Sequence, residues 1–528
     1  MKRYRRSAAI ARAVEIARRH SAHRALLMAI GVAALLAGVC CSAWIAVGAA
    51  DGGYLLQLPT SAIPDWIDGP LRGLTVPTVG ALTPAQFTLP VVALLVAYLL
   101  ALACARSIPL RLALGAIVLA NLAFLLGPEL VSSDVFGYIA YAREAALHGL
   151  NPYLSAPISI APDRLLRFVY WKHQASPYGP LFTILSVPLG LVSASAALWS
   201  YKAVTGVASI AIAFLVADVA RRRGLSPARA ALFFGLNPVL LLYTVSGAHN
   251  DLLAVLLVVA AVALVLRQRE GLGAGVAVAA AAIKLTLGLA LPFVLIGAWR
   301  SGGSRTREAG ARGVAGAALA ILVLGLPTLV LFGGHIVDQL HRISTDPQFD
   351  IAFSGPDRLA TALGTQIGSG VRAACTAAAA IAALLAVVWA WRGGDWIAAA
   401  GWAFLALIAA IASLAPWYLV WLLPLATLAR GRALPAAALL ASAYLIAIHL
   451  PALGGVPWLS PADPGRVSVA RIAHRSPPGG ASPRRGSPMG ALLGGTSQWR
   501  GSISWTVPGA ALATNTRPSR SSTATVFG

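Results

Sequence analysis

Two adjoining stretches decide the fold: PLRLALGAIVLANLAFLLG at residues 109–127 and SSDVFGYIAYAREAALHGLNPY at residues 132–153. The first is an apolar run of the length that crosses a bilayer as a helix, about 20 residues. The second carries an acid, Asp134, with several aromatics and turn residues, yet another apolar run follows from residue 180. Such a polar segment between membrane spans is costly unless it has a role at the membrane surface. The pair therefore predicts a helical membrane protein with a functional loop at about residues 128–180.

The composition of the chain places it among integral membrane proteins. Of its 528 residues, 58% are hydrophobic and 11% are charged, whereas average soluble domains carry about 25% charged residues. Apolar runs recur along the whole chain. They lie at about residues 25–49, 88–105, 109–127, 180–195, 198–219, 229–246, 251–267, 272–298, 313–333, 371–391, 396–413, 416–429 and 433–451. We therefore predict an all-α fold, a polytopic membrane helical bundle of about 11–13 spans.

Basic residues crowd the first 24 residues, ahead of the first apolar run. Lys2 and seven arginines stand there against a single acid, Glu15. Because Lys and Arg beside a span stay on the cytoplasmic side, residues 1–24 predict a cytoplasmic N-terminus. Lysine is almost absent beside arginine, which suggests a GC-rich bacterial genome and hence a multi-pass protein of a bacterial inner (plasma) membrane. Such charge beside a bilayer needs no nucleic-acid partner, so we predict none. The four cysteines form no CxxC pair, so neither a disulfide nor a zinc site is indicated.

The predicted topology places the polar stretch on the outer face. Counted from a cytoplasmic N-terminus, the loop 128–180 falls outside, and so does a second loop at 334–370 that is rich in Asp and His. The run at 180–195 must be short or re-entrant to keep the following arginines inside. The run at 272–298 is too short for two crossings, which need about 40 residues, and therefore predicts a hairpin with Lys284 near its tip. The outer face thus gathers acids, histidines and aromatics.

The outer loop is predicted to contain one short helix, over residues 134–148. Ser132 and Ser133 are good N-cap residues, because their hydroxyls accept hydrogen bonds from the free backbone N–H groups of the first turn. Gly149 suits the left-handed conformation that commonly ends a helix, and a proline follows shortly after it.

Asp134 is the candidate reactive carboxylate of this helix. It shares one face with Tyr138 and Tyr141, at spacings i+4 and i+7. The positive end of the helix dipole predicts that Asp134 stays ionised, and an ionised carboxylate can accept a proton from an attacking hydroxyl. A capping acid at a helix start explains the same residue equally well, so local sequence leaves both interpretations open.

Other polar and aromatic residues that interrupt the apolar runs are candidates for substrate binding. Besides Tyr138 and Tyr141, they are Asn151, Tyr153, Trp171, Tyr178, His249, Asn250, Asp251, Lys284, Trp417 and Tyr418. No nucleotide-binding loop, zincin motif or metal-holding Asp-x-Asp pair occurs, so no metal ligands are predicted. Whether the reaction needs a divalent metal stays open.

Each of these candidates also has a structural explanation. The prolines and glycines around Asn151 and Tyr178 are typical of ordinary turns, and the tryptophans fit an aromatic belt at the membrane interface. The polar run at 247–251 fits a solvated turn that caps the next helix. A buried Lys284 must pair with an anion, either a lipid-linked phosphate or an internal acid.

Five segments, in chain order, resemble one family of membrane enzymes. They are SSDVFGYIAYAREAALHGLNPY, Trp171 with SPYGPL, NPVLLLYTVSGAHNDLLAVLL, AAIKLTLGLALPF and PWYLVWLLPL. Over about residues 85–450 the chain resembles polytopic glycosyltransferases of the GT-C superfamily, in particular bacterial polyprenol-phosphate-mannose-dependent alpha-1,6-mannosyltransferases. The resemblance implies a GT-C-like helical bundle with an outer-face catalytic loop and a lipid groove that opens sideways.

The same resemblance implies an activity. It is transfer of a sugar, most simply mannose, from a polyprenyl-phosphate donor to a cell-envelope glycan or glycolipid acceptor on the outer face. Asp134 matches the outer-loop acid that such enzymes use as general base in an inverting single displacement. Lys284 and His249 would stabilise the leaving phosphate, and aromatic residues would shape the sugar site. No cofactor is implied, because the lipid-linked sugar is itself the donor. The alternative function is a membrane transporter or lipid flippase for a lipid-linked or envelope precursor.

The chain divides into three predicted parts. The basic segment 1–24 precedes a transmembrane glycosyltransferase domain at 25–451, and a tail occupies 452–528. The tail departs from the family resemblance, because it is rich in Arg, Ser, Gly and Pro, a composition typical of disorder. One hypothesis for it is a frameshift in the gene, and resequencing that found the reading frame intact would exclude this explanation.

Overall fold

Helices make up the regular structure of the chain. A computed structural model describes residues 2–50, 64–74, 84–130, 132–335 and 353–450, and all regular elements within these ranges are helical. The α-helices are α1 Lys2–Ala50, α2 Asp65–Asp68, α3 Pro84–Cys104, α4 Leu110–Leu126, α5 Asp134–His148, α6 Pro180–Gly190, α7 Ala194–Arg222, α8 Pro227–Gly235, α9 Asp251–Leu266, α10 Glu270–Ile283, α11 Leu291–Ser301, α12 Thr306–Phe332, α13 Gly355–Ala362, α14 Ser369–Trp391, α15 Trp396–Ala410, α16 Leu423–Leu428 and α17 Ala433–His449. Between them lie 3-10 segments at Pro157–Ile160, Arg164–Arg167, Leu285–Ala290, Gly303–Arg305 and Pro416–Trp421, and a π-helical segment at Leu240–Val245. The predicted all-α fold is confirmed.

Five helical segments in the described ranges are long and apolar enough to cross a membrane. They are Arg19–Ala50, Phe87–Cys104, Ala194–Arg222, Gly303–Phe332 and Ser369–Trp391. Shorter apolar helices of 10–17 residues accompany them. The prediction of a multi-pass helical bundle is confirmed, but many of the predicted spans are shorter helices than a full crossing requires.

Three of the predicted apolar runs are not single straight helices. The run at 180–195 contains the short helix α6, as predicted. The run at 229–246, predicted as one span, is interrupted at Asn237-Pro238, between α8 and the π-helical segment; proline cannot donate the backbone hydrogen bond that would continue a helix. The run at 272–298 is a hairpin of α10 and α11, as predicted, and Lys284 lies at its turn.

The bundle has a buried centre and an apolar exterior. All six residues of the π-helical segment are buried, and α9 and α16 pack in the same core. In contrast, only 11% of the most apolar stretches of α12 and α14 is buried within the protein. Lipid tails can cover such apolar faces. Polar side chains buried at the centre therefore need partners that lipid cannot supply, and they mark the functional site.

Some predictions concern residues outside the described ranges. The tail at 452–528 lies outside them, as do residues 336–352 of the predicted second outer loop. The segment 1–24 belongs to the start of α1 from Lys2 onward. The cytoplasmic N-terminus, the three-part division of the chain and the outer-face location of the loop stay predictions.

Candidate active site

Asp134 begins α5, but serines rather than the Asp134 carboxylate satisfy the first turn of this helix. Ser133 is the N-cap residue and makes no side-chain capping bond. Its carbonyl accepts a hydrogen bond from the Phe136 N–H at 3.1 Å, while the Ser132 hydroxyl accepts one from the Asp134 N–H at 3.2 Å. Gly149 adopts the left-handed conformation, with φ 61°, at the C-cap. The predicted helix bounds are confirmed, and the first turn is satisfied without the Asp134 side chain.

The Asp134 carboxylate is largely enclosed, which changes its protonation. Its side chain is 17% exposed. Burial raises the pKa of Asp134 to about 6, although the positive charge of Lys284 acts in the opposite direction. Desolvation therefore opposes the helix dipole, but a group with a pKa of about 6 is still mostly ionised at neutral pH, and the ionised state of Asp134 stays a prediction. A carboxylate with its pKa near the working pH is well suited to accept a proton.

The segment from Asn237 to Asp251 enters the bundle by an irregular path. The Asn237 amide donates hydrogen bonds to the hydroxyls of Tyr98 at 3.2 Å and Ser442 at 3.0 Å, which fixes the start of the segment. The π-helical turns follow, and Ala248 adopts φ 47°, a left-handed conformation unfavourable for a residue with a Cβ. π-Helical turns and strained residues are frequent at functional sites. The fold therefore positions the polar run that ends at Asp251.

His249 and Asn250 are completely buried, so the interpretation of this run as a solvated turn was wrong. Neither ring nitrogen of His249 and neither amide atom of Asn250 has a hydrogen-bond partner among the described residues. His249 Nδ1 lies 3.7 Å from a carboxylate oxygen of Asp134. The imidazole stacks on Trp417, with ring centroids 3.9 Å apart. The structure thus brings three separate sequence motifs together around Asp134.

Asp251 and Lys284 form an ion pair at the turn of the α10–α11 hairpin. The Lys284 Nζ atom lies 2.8 Å from one oxygen of the fully buried Asp251. The other oxygen accepts a hydrogen bond from the Trp421 indole N–H at 2.6 Å. Lys284 also lies over the Tyr418 ring, 5.2 Å from its centroid, and stays 17% exposed. Of the two anions considered for Lys284, the structure shows the internal acid.

Tyr138 and Tyr141 of α5 belong to a cluster of aromatic rings. Tyr138 packs edge-on against Tyr178, with centroids 4.8 Å apart, and Tyr141 lies 6.1 Å from the same ring. The Tyr138 hydroxyl accepts a hydrogen bond from the Asn250 backbone N–H at 3.5 Å. The predicted common face of α5 therefore contacts both the buried polar run and the outer-loop turn.

The remaining loop candidates make structural contacts. The Asn151 side chain accepts a hydrogen bond from the Tyr153 N–H at 3.1 Å and donates one to a backbone carbonyl at the end of α12 at 3.0 Å. The Tyr153 hydroxyl donates to the Tyr178 carbonyl at 2.9 Å. Trp171 packs edge-on against Tyr170. These contacts shape the loop, and a role for the four predicted residues in substrate binding stays a prediction.

Comparison with known sequences shows the family of the chain. The sequence model described as alpha-(1→6)-mannopyranosyltransferase, N-terminal domain, matches residues 35–300, just over half of the chain. The chain belongs to the MptA/B alpha-(1→6)-mannopyranosyltransferase family. The matched range includes Asp134, the 247–251 run and Lys284, and it ends before Trp417. The family resemblance stated from the five segments is confirmed.

Relatives in this mannopyranosyltransferase family are distant. The chain is 28% identical over 143 residues to a Mycolicibacterium smegmatis protein named "Probable alpha-(1->6)-mannopyranosyltransferase", covering 26% of this chain and 25% of the relative. It is 27% identical over 139 residues, 25% of this chain and 23% of the relative, to an alpha-(1→6)-mannopyranosyltransferase of Mycobacterium tuberculosis. With alpha-(1→6)-mannopyranosyltransferase A of Corynebacterium glutamicum, identity is 26% over 181 residues, 31% of this chain and 34% of the relative. The similarity thus spans about a quarter to a third of these relatives. No solved structure matches the chain significantly.

The sequence-based candidates for this family member omit two buried charges next to the site. Lys202 of α7 and Glu129 are both fully buried, and Lys202 Nζ lies 3.5 Å from a Glu129 oxygen. The same ammonium donates a hydrogen bond to the Ser246 carbonyl at 3.0 Å, directly before the buried polar run. A lysine inside an apolar run is the sequence signal that could have identified this pair. Lys202 therefore fixes the backbone directly before the segment that carries His249.

Lys202→Met is expected to destabilise the protein. The substitution removes the partner of a buried acid and the donor to the Ser246 carbonyl, which should lower the free energy of unfolding by on the order of 3 kcal/mol. Thermal unfolding in detergent micelles measures the effect. The double variant Glu129→Gln with Lys202→Met should recover part of the loss, because no buried charge is then left without a partner. An unchanged midpoint in the single variant would contradict this account.

Gly179 joins the loop that follows α5 to the hairpin that carries Lys284. Its N–H donates a hydrogen bond to the Ile283 carbonyl at 3.0 Å, and a Cβ atom at this position would collide with the backbone of Ala282. The Gly179 φ of −68° suits any residue, so the close approach of two backbones is what requires glycine. The SPYGPL turn is therefore a packing contact against the hairpin, a structural role that its sequence did not indicate.

Gly179→Ala is expected to reduce kcat about tenfold or more, because even a small displacement of a catalytic group can cost a large factor in rate. The added methyl group must move the hairpin turn and, with it, the Lys284 ammonium. Gly115→Ala in α4 is the matched control, since a Cβ there meets no atom within 4 Å. Steady-state rates of both variants in the transfer assay below test the prediction. Equal activity of the two variants would show that the contact at Gly179 does not position Lys284.

Proposed function

We propose that this protein is a membrane glycosyltransferase that moves mannose from a polyprenyl-phosphate donor to a cell-envelope glycan or glycolipid. The site would face the outer side of a bacterial inner membrane. The observation that carries the proposal is the partly exposed carboxylate of Asp134 beside His249, under the influence of the charge of Lys284. Membership of a mannopyranosyltransferase family supports mannose as the sugar and an alpha-(1→6) linkage as the product.

In this proposal Asp134 is the general base. An acceptor hydroxyl attacks the anomeric carbon of the donor while the bond from that carbon to the phosphate oxygen breaks. Polyprenyl phosphate leaves with the bonding electrons, and Asp134 takes the proton from the hydroxyl. This single displacement inverts the anomeric configuration. Proton removal by a positioned base contributes a factor of about 10²–10⁴ to such a rate.

Exposure favours Asp134 over His249 as the base. His249 is fully buried, whereas the Asp134 side chain keeps 17% of its surface open. Burial, together with the nearby charge of Lys284, also lowers the pKa of His249 well below 6.5. A buried, weakly basic imidazole is a poor acceptor for the proton of an incoming hydroxyl. The carboxylate is therefore the better acceptor for that proton.

Lys284 supplies positive charge for the leaving phosphate. An ammonium group has three N–H donors, and the ion pair with Asp251 occupies one of them. The aromatic faces of Tyr418 and Trp421 hold the same ammonium in place. Two donors therefore stay available to phosphate oxygens, and a fixed charge of this kind stabilises the negative charge that develops as the bond breaks.

A transfer assay tests the proposal. Membranes from cells that express the protein should move radiolabel from polyprenyl-phosphate mannose to a synthetic alkyl α-mannoside, whereas membranes with empty vector should not. NMR of the product reports the anomeric configuration and linkage, and polyprenyl-phosphate glucose should react at least about tenfold more slowly. Vesicles of known orientation with an impermeant acceptor identify the active face. Transbilayer movement of the labelled lipid without any transfer would favour the transporter or flippase alternative.

A further inference from the structure

The pair formed by His249 and Asn250 is a polar site without internal partners. Both side chains are completely buried, and their four polar atoms find no hydrogen-bond partner among the described residues. Buried polar atoms that lack partners cost free energy, so proteins rarely keep two such side chains side by side without a use. The backbone around them is also unusual, with Ala248 at φ 47°. A ligand that forms hydrogen bonds with these atoms would offset the free-energy cost of leaving them unpaired.

The chemistry of the pair fits sugar hydroxyls better than phosphate. An amide offers both a donor and an acceptor, and a neutral imidazole also offers one of each. Burial keeps His249 neutral by lowering its pKa well below 6.5. Neither side chain therefore brings a charge to a ligand. A hydroxyl both donates and accepts a hydrogen bond, so adjacent hydroxyls on a sugar ring match the two side chains.

The position of the pair assigns it to one of the two substrates. His249 Nδ1 lies 3.7 Å from the Asp134 oxygen, so a hydroxyl within bonding distance of Asp134 also lies near the imidazole. The donor phosphate, in contrast, needs positive charge, which Lys284, paired with Asp251, supplies. Trp417, stacked on His249, adds an aromatic ring beside the acceptor position.

We propose that His249 and Asn250 bind hydroxyls of the acceptor sugar next to the hydroxyl that attacks. The inference rests on the proposed function and extends it, because it assigns the pair to the acceptor rather than to the donor. It gives both residues a specificity role, since a site built to bond hydroxyls rejects an acceptor that lacks them.

Acceptor and donor kinetics of His249→Ala and Asn250→Ala test the assignment. With an alkyl α-mannoside as acceptor and polyprenyl-phosphate mannose as donor, each variant should raise the acceptor KM about tenfold or more. The donor KM should stay within about twofold. Ser209→Ala in α7 is the control. Like the two variants, it removes a buried polar group that has no partner among the described residues, in this case a hydroxyl.

Deoxy acceptors provide the second measurement, and they need only the wild-type protein. Alkyl α-mannosides that lack single ring hydroxyls should include at least one whose KM is raised in the wild type. The same deoxy acceptor should react with one of the two variants no worse than the parent acceptor does. A raised donor KM with an unchanged acceptor KM would assign the pair to the donor and overturn the proposal. No transfer by the wild type would instead overturn the proposed function.

Discussion

Asp134→Asn is expected to reduce mannose transfer by a factor of about 10²–10⁴, the usual contribution of a general base. The amide has the size of the carboxylate but cannot take the proton. The first turn of α5 should survive, because Ser132 and the Ser133 carbonyl satisfy its backbone. Initial rates in expressing membranes, normalised to the amount of protein, measure the effect.

Glu144→Gln is the matched control for this prediction. Glu144 lies on the same helix, is fully buried, and accepts a hydrogen bond from the Ser155 hydroxyl at 2.7 Å. Burial raises its pKa to about 7, so the neutral amide is a close substitute for a carboxyl that is easily protonated. Its activity should stay near that of the wild type. A residual rate above roughly a tenth in Asp134→Asn would remove Asp134 from the role of base.

The pH profile provides a further expectation for the same residue. Because burial raises the pKa of Asp134 to about 6, the carboxylate is protonated at a higher pH than an ordinary aspartate. A base must be unprotonated to act, so kcat/KM should fall about tenfold per pH unit below 6 and level off above 7. A profile that stays flat down to pH 5 would contradict the assignment.

Lys284→Met is the substitution with the second large expected effect, and it should reduce kcat by a factor of about 10²–10³. The substitution keeps an unbranched side chain, one atom shorter, but removes the charge that the proposed mechanism places opposite the leaving phosphate. It also leaves the buried Asp251 without its ion-pair partner, so the variant is expected to be less stable. Single-turnover rates with polyprenyl-phosphate mannose separate chemistry from binding.

The double variant Asp251→Asn with Lys284→Met distinguishes catalysis from stability. It removes both charges of the ion pair, while the Trp421 indole can still donate to the side-chain oxygen at position 251. Thermal stability should return towards that of the wild type, because no buried charge is left unpaired. Activity should stay low. Recovery of activity together with stability would show that Lys284 acts only through the fold.

Much of the architecture follows from local patterns. Apolar runs of the right length predict membrane helices, since the bilayer leaves the backbone few other ways to satisfy its hydrogen bonds. The start of α5 follows from the serine pair at 132–133, where the Ser132 hydroxyl accepts from the Asp134 N–H, and its end follows from the left-handed Gly149. The hairpin turn near Lys284 follows from the length of the apolar run, because residues 272–298 are too few to cross the membrane twice as a helix. These features depend only on neighbouring residues.

The environment of each candidate does not follow from local patterns. The sequence left residues 247–251 open between a solvated turn and a binding element, whereas tertiary packing buries His249 and Asn250 completely. The predicted ionisation of Asp134 rests on the dipole of its own helix, which is local, whereas the desolvation that raises its pKa comes from residues distant in the chain. The role of Gly179 depends on its contact with Ala282 and Ile283, which are distant in the sequence.

The sequence by itself therefore determined the class of protein, the family motifs and the residues able to carry charge or bond a sugar. Only the tertiary structure decided which of them meet: Asp134 beside His249, and Lys284 beside Asp251. The physical reason is the distance along the chain over which each feature is determined. Helix starts, stops and apolar length are set within a few turns of chain, whereas burial and pairing depend on helices that are remote in sequence and adjacent in space.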